Sequence, residues 1–184
     1  FDEVAVIARP GAASRRDETP AVEEVHATLR PVASIVAPGT LDGGDVLAVG
    51  RRVYVGRTER TNDEGIAQLR VVLAPHGYEV QGVDVTGCLH LKTAVTAVDD
   101  ATVLLNPAWV SPAAFARARV VEVDPSEPMA ANVLRVGDQL VYGASYSRTQ
   151  ARLEQLGYVL HTVDASELAK AEGAVTCCSL VMRG

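Results

Sequence analysis

Cysteine is scarce in this sequence. Only three of its 184 residues are Cys: Cys88, Cys177 and Cys178. So small and odd a number excludes a disulfide scaffold and points to a reducing compartment, so the cytoplasm is the expected location. An excess of positive charge is also missing. The formal net charge is −6, which argues against a nucleic-acid partner, because such a partner demands a basic face. No apolar run approaches the roughly 20 residues that a bilayer-spanning helix needs, and no basic-then-apolar signal segment opens the chain. An initiating methionine is absent too. The chain enters a strand-like pattern, "FDEVAVIARP", directly at Phe1, and the expectation is that an N-terminal segment is missing. What is present is an ordinary globular balance, 48% hydrophobic and 22% charged, with enough length for one domain and a substantial core.

Three stretches resemble one another: "GDVLAVGRRVYVG" (44–56), "TAVTAVDDATVLL" (93–105) and "NVLRVGDQLVYG" (132–143). Each sets two runs rich in β-branched residues about a short polar turn, at Gly50-Arg51, Asp99-Asp100 and Gly137-Asp138. That pattern predicts β-hairpins. A segment able to form a helix follows each one. The first, "TNDEGIAQLRVVLAPHG", sets Leu69, Val72 and Leu73 on one face. The second, "SPAAFARA", offers Ser111 as N-cap and Pro112 at the first helical position. The third, "SRTQARLEQLG", stops at Gly157. A further strand then follows in each case: "YEVQGVDV", "ARVVEVD" and "YVLHTVD". An opening copy reads as "EVAVIARP", a helix over residues 17–29, and "ASIVAP". The unit is therefore strand, strand, helix, strand, at a period of roughly 40–50 residues, which predicts an α/β fold whose repeats close around an axis. An ordinary α/β sandwich with coincidental hairpins is the alternative.

Polar residues gather after the strand that ends each unit. Asp42 and Asp45 lie in "GTLDGGD", His90 in "TGCLHLK", Asn132 in "SEPMAANV", and the cysteine pair in "SELAKAEGAVTCC". If the units are radial copies, these loops converge, and a carboxylate, an imidazole, an amide and a thiol face a common space. Nucleophilic catalysis needs such a set: a thiolate attacks, an imidazole moves protons, and a carboxylate orients the imidazole. Each residue also has a plainer reading. Cys177 among apolar neighbours is a small core side chain, His90 between Leu89 and Leu91 is a satisfied structural histidine on a strand, and Asp42 before two glycines is turn chemistry. Adjacent cysteines make a poor chelating pair, and on a strand they point to opposite faces. Cys88 is expected in the core.

The motifs "RPGAASRR" (9–16), "TLDGGDVL" (40–47), "VGRTERTN" (55–62), "LHLK" (89–92) and "EGAVTCCSL" (172–180), in this order and at this spacing, resemble the dimethylarginine dimethylaminohydrolase family of the pentein, or guanidine-modifying, superfamily. The resemblance covers nearly the whole chain. It implies a five-fold pseudosymmetric β/α propeller of ββαβ units, of which about four are visible here. Residues 1–184 are then a single catalytic domain truncated at the N-terminus.

The resemblance implies Cys177 as nucleophile, with Cys178 on the other face. His90 is the implied catalytic histidine and Asp42 its carboxylate partner. Arg15 and Arg60 would grip the substrate α-carboxylate, which suits a forked guanidinium, and the backbone carbonyl of Ala171 would accept from the substrate amino group. A carboxylate that grips the substrate guanidinium in the family precedes "EVAVIARP" and lies outside this chain; Asp2 and Glu3 align within the next strand and do not replace it. The implied reaction converts Nω-methylated L-arginine to L-citrulline and an amine with no cofactor. A Zn²⁺ ion on Cys177 and His90 would inhibit. The implied partner is the small-molecule substrate, with no nucleic acid or membrane, on a monomer or homodimer.

Rivals are an arginine or agmatine deiminase, an amidinotransferase, and a non-enzymatic propeller such as the ribosome-binding anti-association factor. Arginine deiminases carry an acid two residues after the histidine, where this chain has Lys92. An amidinotransferase fits "TCCS" near the terminus less well. Joint retention of Asp42, His90 and Cys177 argues against a pure binding role.

Overall fold

In the computed structural model, which describes residues 1–171 and 173–181, the expected hairpins form. They belong to two compact units: Phe1–Val85 with Leu89–Leu91, and Thr86–Cys88 with Lys92–Gly184.

The first unit opens with β1 (Ala5–Ile7), a 3-10 turn (Ala13–Glu18), α1 (Thr19–Ala27) and β2 (Val32–Ser34). β1 and β2 pair in parallel, with Ala5 opposite Val32. The expected helix over 17–29 is thus a 3-10 turn followed by a shorter α-helix with proline in its first turn. A second 3-10 turn (Gly43–Asp45) leads into β3 (Val46–Val49) and β4 (Arg52–Arg57), antiparallel about Gly50, whose φ is 58°. α2 (Asp63–Leu73), a 3-10 turn (Ala74–His76) and β5 (Glu79–Asp84) follow, and β5 lies parallel to β4.

The Asn62 side chain accepts from Gly65 N at 2.9 Å and caps α2, while Asp63 and Glu64 sit in its first turn, where acids favour a helix start. Ile66, Leu69 and Leu73 bury one face of α2 against Val53, Val55, Leu41 and Ile35. Gly65 permits this approach: a Cβ there would lie 2.1 Å from the Thr40 carbonyl oxygen.

The second unit repeats the order twice. β6 (Val95–Ala97) and β7 (Thr102–Leu105) form a hairpin, and β8 (Arg119–Glu122) lies parallel to β7. β9 (Val133–Val136) and β10 (Gln139–Gly143) form the next, followed by α3 (Ser147–Gln155) and β11 (Leu160–Val163), parallel to β10. Leu104, Val121, Val133, Leu140, Tyr142 and Leu153 make the core. After β11 comes a short helix, α4 (Ser166–Lys170). The chain is thus α/β with small mixed sheets.

Three local expectations differ from the structure. "SPAAFARA" forms only a 3-10 turn (Pro112–Phe115), and Ser111 contributes its carbonyl rather than its hydroxyl. Fully buried Phe115 anchors that turn, and Ala118 N closes on its carbonyl at 2.8 Å. His90 is not on a strand: it sits in a bend before a one-turn helix (Leu91–Ala94). Cys177 and Cys178 are not on a strand either, but in a turn spanning residues 175–178.

Candidate active site

Asp42 is extended at the head of "DGGD", with φ −98° and ψ 137°. Its side chain caps nothing in the 3-10 turn that follows, so it is not turn chemistry. It is 4% exposed and reaches two groups distant in sequence. Oδ1 accepts from Gly11 N at 3.0 Å, and Oδ2 lies 3.1 Å from His90 Nε2. Burial alone would raise this carboxyl. The His90 and Gly11 hydrogen bonds, with the charges of His90 and Arg15, outweigh burial and hold it below the usual carboxylate range. The site thus keeps an ionised acid against an imidazole, an arrangement that orients the ring for proton transfer.

Gly44 makes room for that ring, since a Cβ at Gly44 would lie 2.7 Å from His90 Cγ. Gly43 meets no such constraint. Gly11 has a comparable task, because a Cβ there would lie 2.5 Å from the Arg60 carbonyl oxygen. The "RPG" and "RTN" segments therefore pack backbone to backbone.

Arg15 lies in the Ala13–Glu18 turn, with Nε and Nη2 donating to the Glu18 carboxylate at 3.3 and 3.0 Å. Nη1 is 3.9 Å from Asp42 Oδ2. The Glu18 hydrogen bond is the chief cause that raises the Arg15 pKa further. Arg60 is half-buried in the loop between β4 and α2. The first unit thus brings Asp42 and His90 together, with Arg15 at the edge of the pair and the Arg60 backbone against Gly11.

Cys177 and Ala171 belong to the second unit. Cys177 N donates to Ala174 O at 3.0 Å and Ser179 N to Thr176 O at 3.3 Å, so the turn is closed on both sides of the cysteine pair. Asn132 pins it from the start of β9. Its Nδ2 donates to Thr176 Oγ1 at 2.8 Å and Lys92 O at 3.2 Å, and its Oδ1 accepts from Thr176 N at 3.1 Å. Cys177 and Cys178 are both exposed and unbridged, so the expected separation to opposite faces of a strand does not hold. Cys88 is half-buried rather than in the core. Ala171 ends α4, its N–H donating to Leu168 O at 3.0 Å. Glu172, beside it in the motif, lies outside the described residues.

Sequence reasoning gave no role to Asp45, Thr58, Thr61 or Thr176. Asp45 was visible in "DGGD" as an acid entering an apolar strand, a signal that a buried carboxylate leaves. Among the described residues no group of three or more His, Cys, Asp or Glu is placed to hold a metal ion, and no helix is long and apolar enough to cross a membrane.

No family model matches the chain. It is 46% identical to the N(G),N(G)-dimethylarginine dimethylaminohydrolase of Streptomyces coelicolor, with 100% of this chain and 70% of the relative covered. It is 38% identical to the protein of that name from Pseudomonas aeruginosa, over 96% of this chain and 70% of the relative. A solved structure of the Pseudomonas aeruginosa protein, a cysteine-to-serine mutant complexed with citrulline, matches with a TM-score of 0.92. That match has 36% sequence identity and covers 99% of this chain and 72% of the other. Small mixed sheets in a repeated order, carrying an acid–imidazole pair, define a protein of the pentein, guanidine-modifying class. Within that class the chain belongs to the dimethylarginine dimethylaminohydrolase family.

Proposed function

We propose that this protein hydrolyses Nω-methylated L-arginine, asymmetrically dimethylated or monomethylated, to L-citrulline and dimethylamine or methylamine. The observation that carries this reading is the buried Asp42 carboxylate 3.1 Å from His90 Nε2, in a chain 46% identical to a relative of that activity by name. The strand–strand–helix–strand modules are read as copies of the pentein unit, whose propeller order the family resemblance implies, and residues 1–184 as part of one catalytic domain.

In the proposed reaction the Cys177 thiolate attacks the guanidinium carbon. The C–N bond to the methylated nitrogen breaks as His90 protonates the departing amine, leaving a thiouronium on Sγ. Water, losing its proton to His90, then attacks the same carbon. The C–S bond breaks, citrulline leaves and the thiolate returns. Asp42 keeps the imidazole oriented and favours its charged form. Arg15 and Arg60 take the substrate α-carboxylate, and the Ala171 carbonyl takes its amino group. The chemistry calls on no metal or organic cofactor.

The test is product release from asymmetric dimethylarginine, with L-arginine in parallel, by the full-length protein. Citrulline and dimethylamine in equal amounts from dimethylarginine support the proposal. Turnover of L-arginine alone would move the protein to the deiminases, and turnover of neither would favour a binding role.

A further inference from the structure

Asp45 is fully buried and takes no part in the chemistry proposed above. Its two oxygens nevertheless reach, directly or through a threonine hydroxyl, the backbone at or next to three site residues of the first unit: His90, Asp42 and Arg60. Oδ1 accepts from Leu91 N at 2.9 Å, the peptide that follows His90. Oδ2 accepts from Thr61 Oγ1 at 2.7 Å and Thr58 Oγ1 at 2.8 Å. Both hydroxyls are already acceptors. Thr61 Oγ1 receives Asp42 N at 3.0 Å, and Thr58 Oγ1 receives Arg60 N at 3.0 Å.

A hydroxyl has one proton to give. Because each threonine oxygen receives a backbone N–H, its own proton is free to point at Asp45. The carboxylate is thus an acceptor three times over, and its position fixes the direction of both hydroxyls. Gly56 on β4 leaves space for it: a Cβ there would lie 3.0 Å from Asp45 Oδ1 and 2.9 Å from Leu91 Cβ. Burial pushes the Asp45 carboxyl up, against the pull of its Thr61, Leu91 and Thr58 donors. Such a group is costly to bury, which argues that it does something an apolar side chain would not.

We propose that Asp45 is a positioning residue that sets three site residues at once: Asp42 through Thr61, Arg60 through Thr58, and His90 through the Leu91 amide. The role assigned to those three rests on the proposed methylarginine hydrolysis; the hydrogen-bond hub itself does not. Two branches leave the carboxylate with different consequences. The Thr61 branch supports the acid–imidazole pair, so it bears on kcat. The Thr58 branch supports the arginine that would hold the substrate, so it bears on KM.

Asparagine cannot replace Asp45 in either orientation. With its oxygen toward Leu91, its NH₂ either meets two hydroxyl protons or makes both hydroxyls turn away and give up the acceptor they now have. Turned over, its NH₂ meets the Leu91 N–H.

The experiment combines native-state amide exchange with kinetics on Thr61→Val, Thr58→Val and Asp45→Asn in the full-length protein. Thr61→Val should speed exchange of the Asp42 amide and lower kcat about 10- to 100-fold with KM little changed. Thr58→Val should speed exchange of the Arg60 amide and raise KM about tenfold with kcat little changed. Serine at either position should restore both readouts. Asp45→Asn should speed exchange at residues 42, 60 and 91 together. The inference is overturned if Asp45→Asn speeds all amides alike, or none of these three, or if the two valine variants move the same kinetic constant. If the unsubstituted protein makes no citrulline, the proposed activity falls, and the exchange pattern alone decides whether the hub exists.

Discussion

His90 and Asp42 lie 48 positions apart in sequence, and a single contact joins them. Replacing Asp42 with Asn leaves the shape and removes the charge that orients the imidazole. Such a change should lower kcat on the order of 100-fold, with a smaller effect on KM, measured as citrulline release. Arg15 makes a different kind of prediction. Its guanidinium is engaged by Glu18, so a substrate carboxylate would compete with that acid. Both side chains are more than half exposed, and an exposed pair of this kind is worth about 1 kcal/mol or less. Glu18→Gln should therefore lower KM by up to about fivefold and leave kcat alone. At this scale the sequence was legible where a residue's chemistry identifies it. Asp42 and His90 were expected side by side and lie 3.1 Å apart, while the parts of base and nucleophile given to His90 and Cys177 are those the family resemblance implies. Asp45 was not assigned, because its donors sit at 58, 61 and 91, and nothing local reveals that they meet.

The hairpins were legible because β-branched runs about Gly50-Arg51 and Gly137-Asp138 carry their own register. α2 was legible from its buried face, and it offers the clearest element-scale prediction. Gly65→Ala would drive a methyl group to within 2.1 Å of the Thr40 carbonyl oxygen. Overpacking against backbone should destabilise the protein by about 1–3 kcal/mol, read as a lower urea midpoint. Asn62→Ala removes the cap of the same helix and should cost about 1 kcal/mol.

The segments around His90 and Cys177 were misread as strands for one shared reason. In "LHLK" and "TCCS" a few residues set the pattern, too few to separate a strand from a bend. What decides each is a buried side chain distant in sequence: Asp45 takes the Leu91 amide, and Asn132 takes the Thr176 amide. Local pattern does not encode those bonds.

Across the whole molecule, two buried carboxylates give opposite pH dependences. The Asp42 pKa is depressed, so its stabilising contribution is complete above the unfolded value of about 3.9. It is lost as pH falls through the lower folded value. The Asp45 pKa is raised, so its ionisation opposes stability above the folded value, and that opposition disappears as pH falls through the unfolded one. Urea midpoints of the unsubstituted protein and Asp42→Asn should therefore differ at neutral pH and converge below about pH 4. A constant difference across that range would contradict the depressed Asp42.

The central claim is that Cys177, rather than its likewise exposed neighbour Cys178, forms the bond to substrate. Acid quenching during turnover of asymmetric dimethylarginine, followed by peptide mass spectrometry, tests this directly. The account predicts an adduct on Cys177 with the mass of substrate less dimethylamine, and unmodified Cys178 and Cys88. An adduct on Cys178, or turnover that leaves every cysteine unmodified and continues in Cys177→Ser, would contradict it.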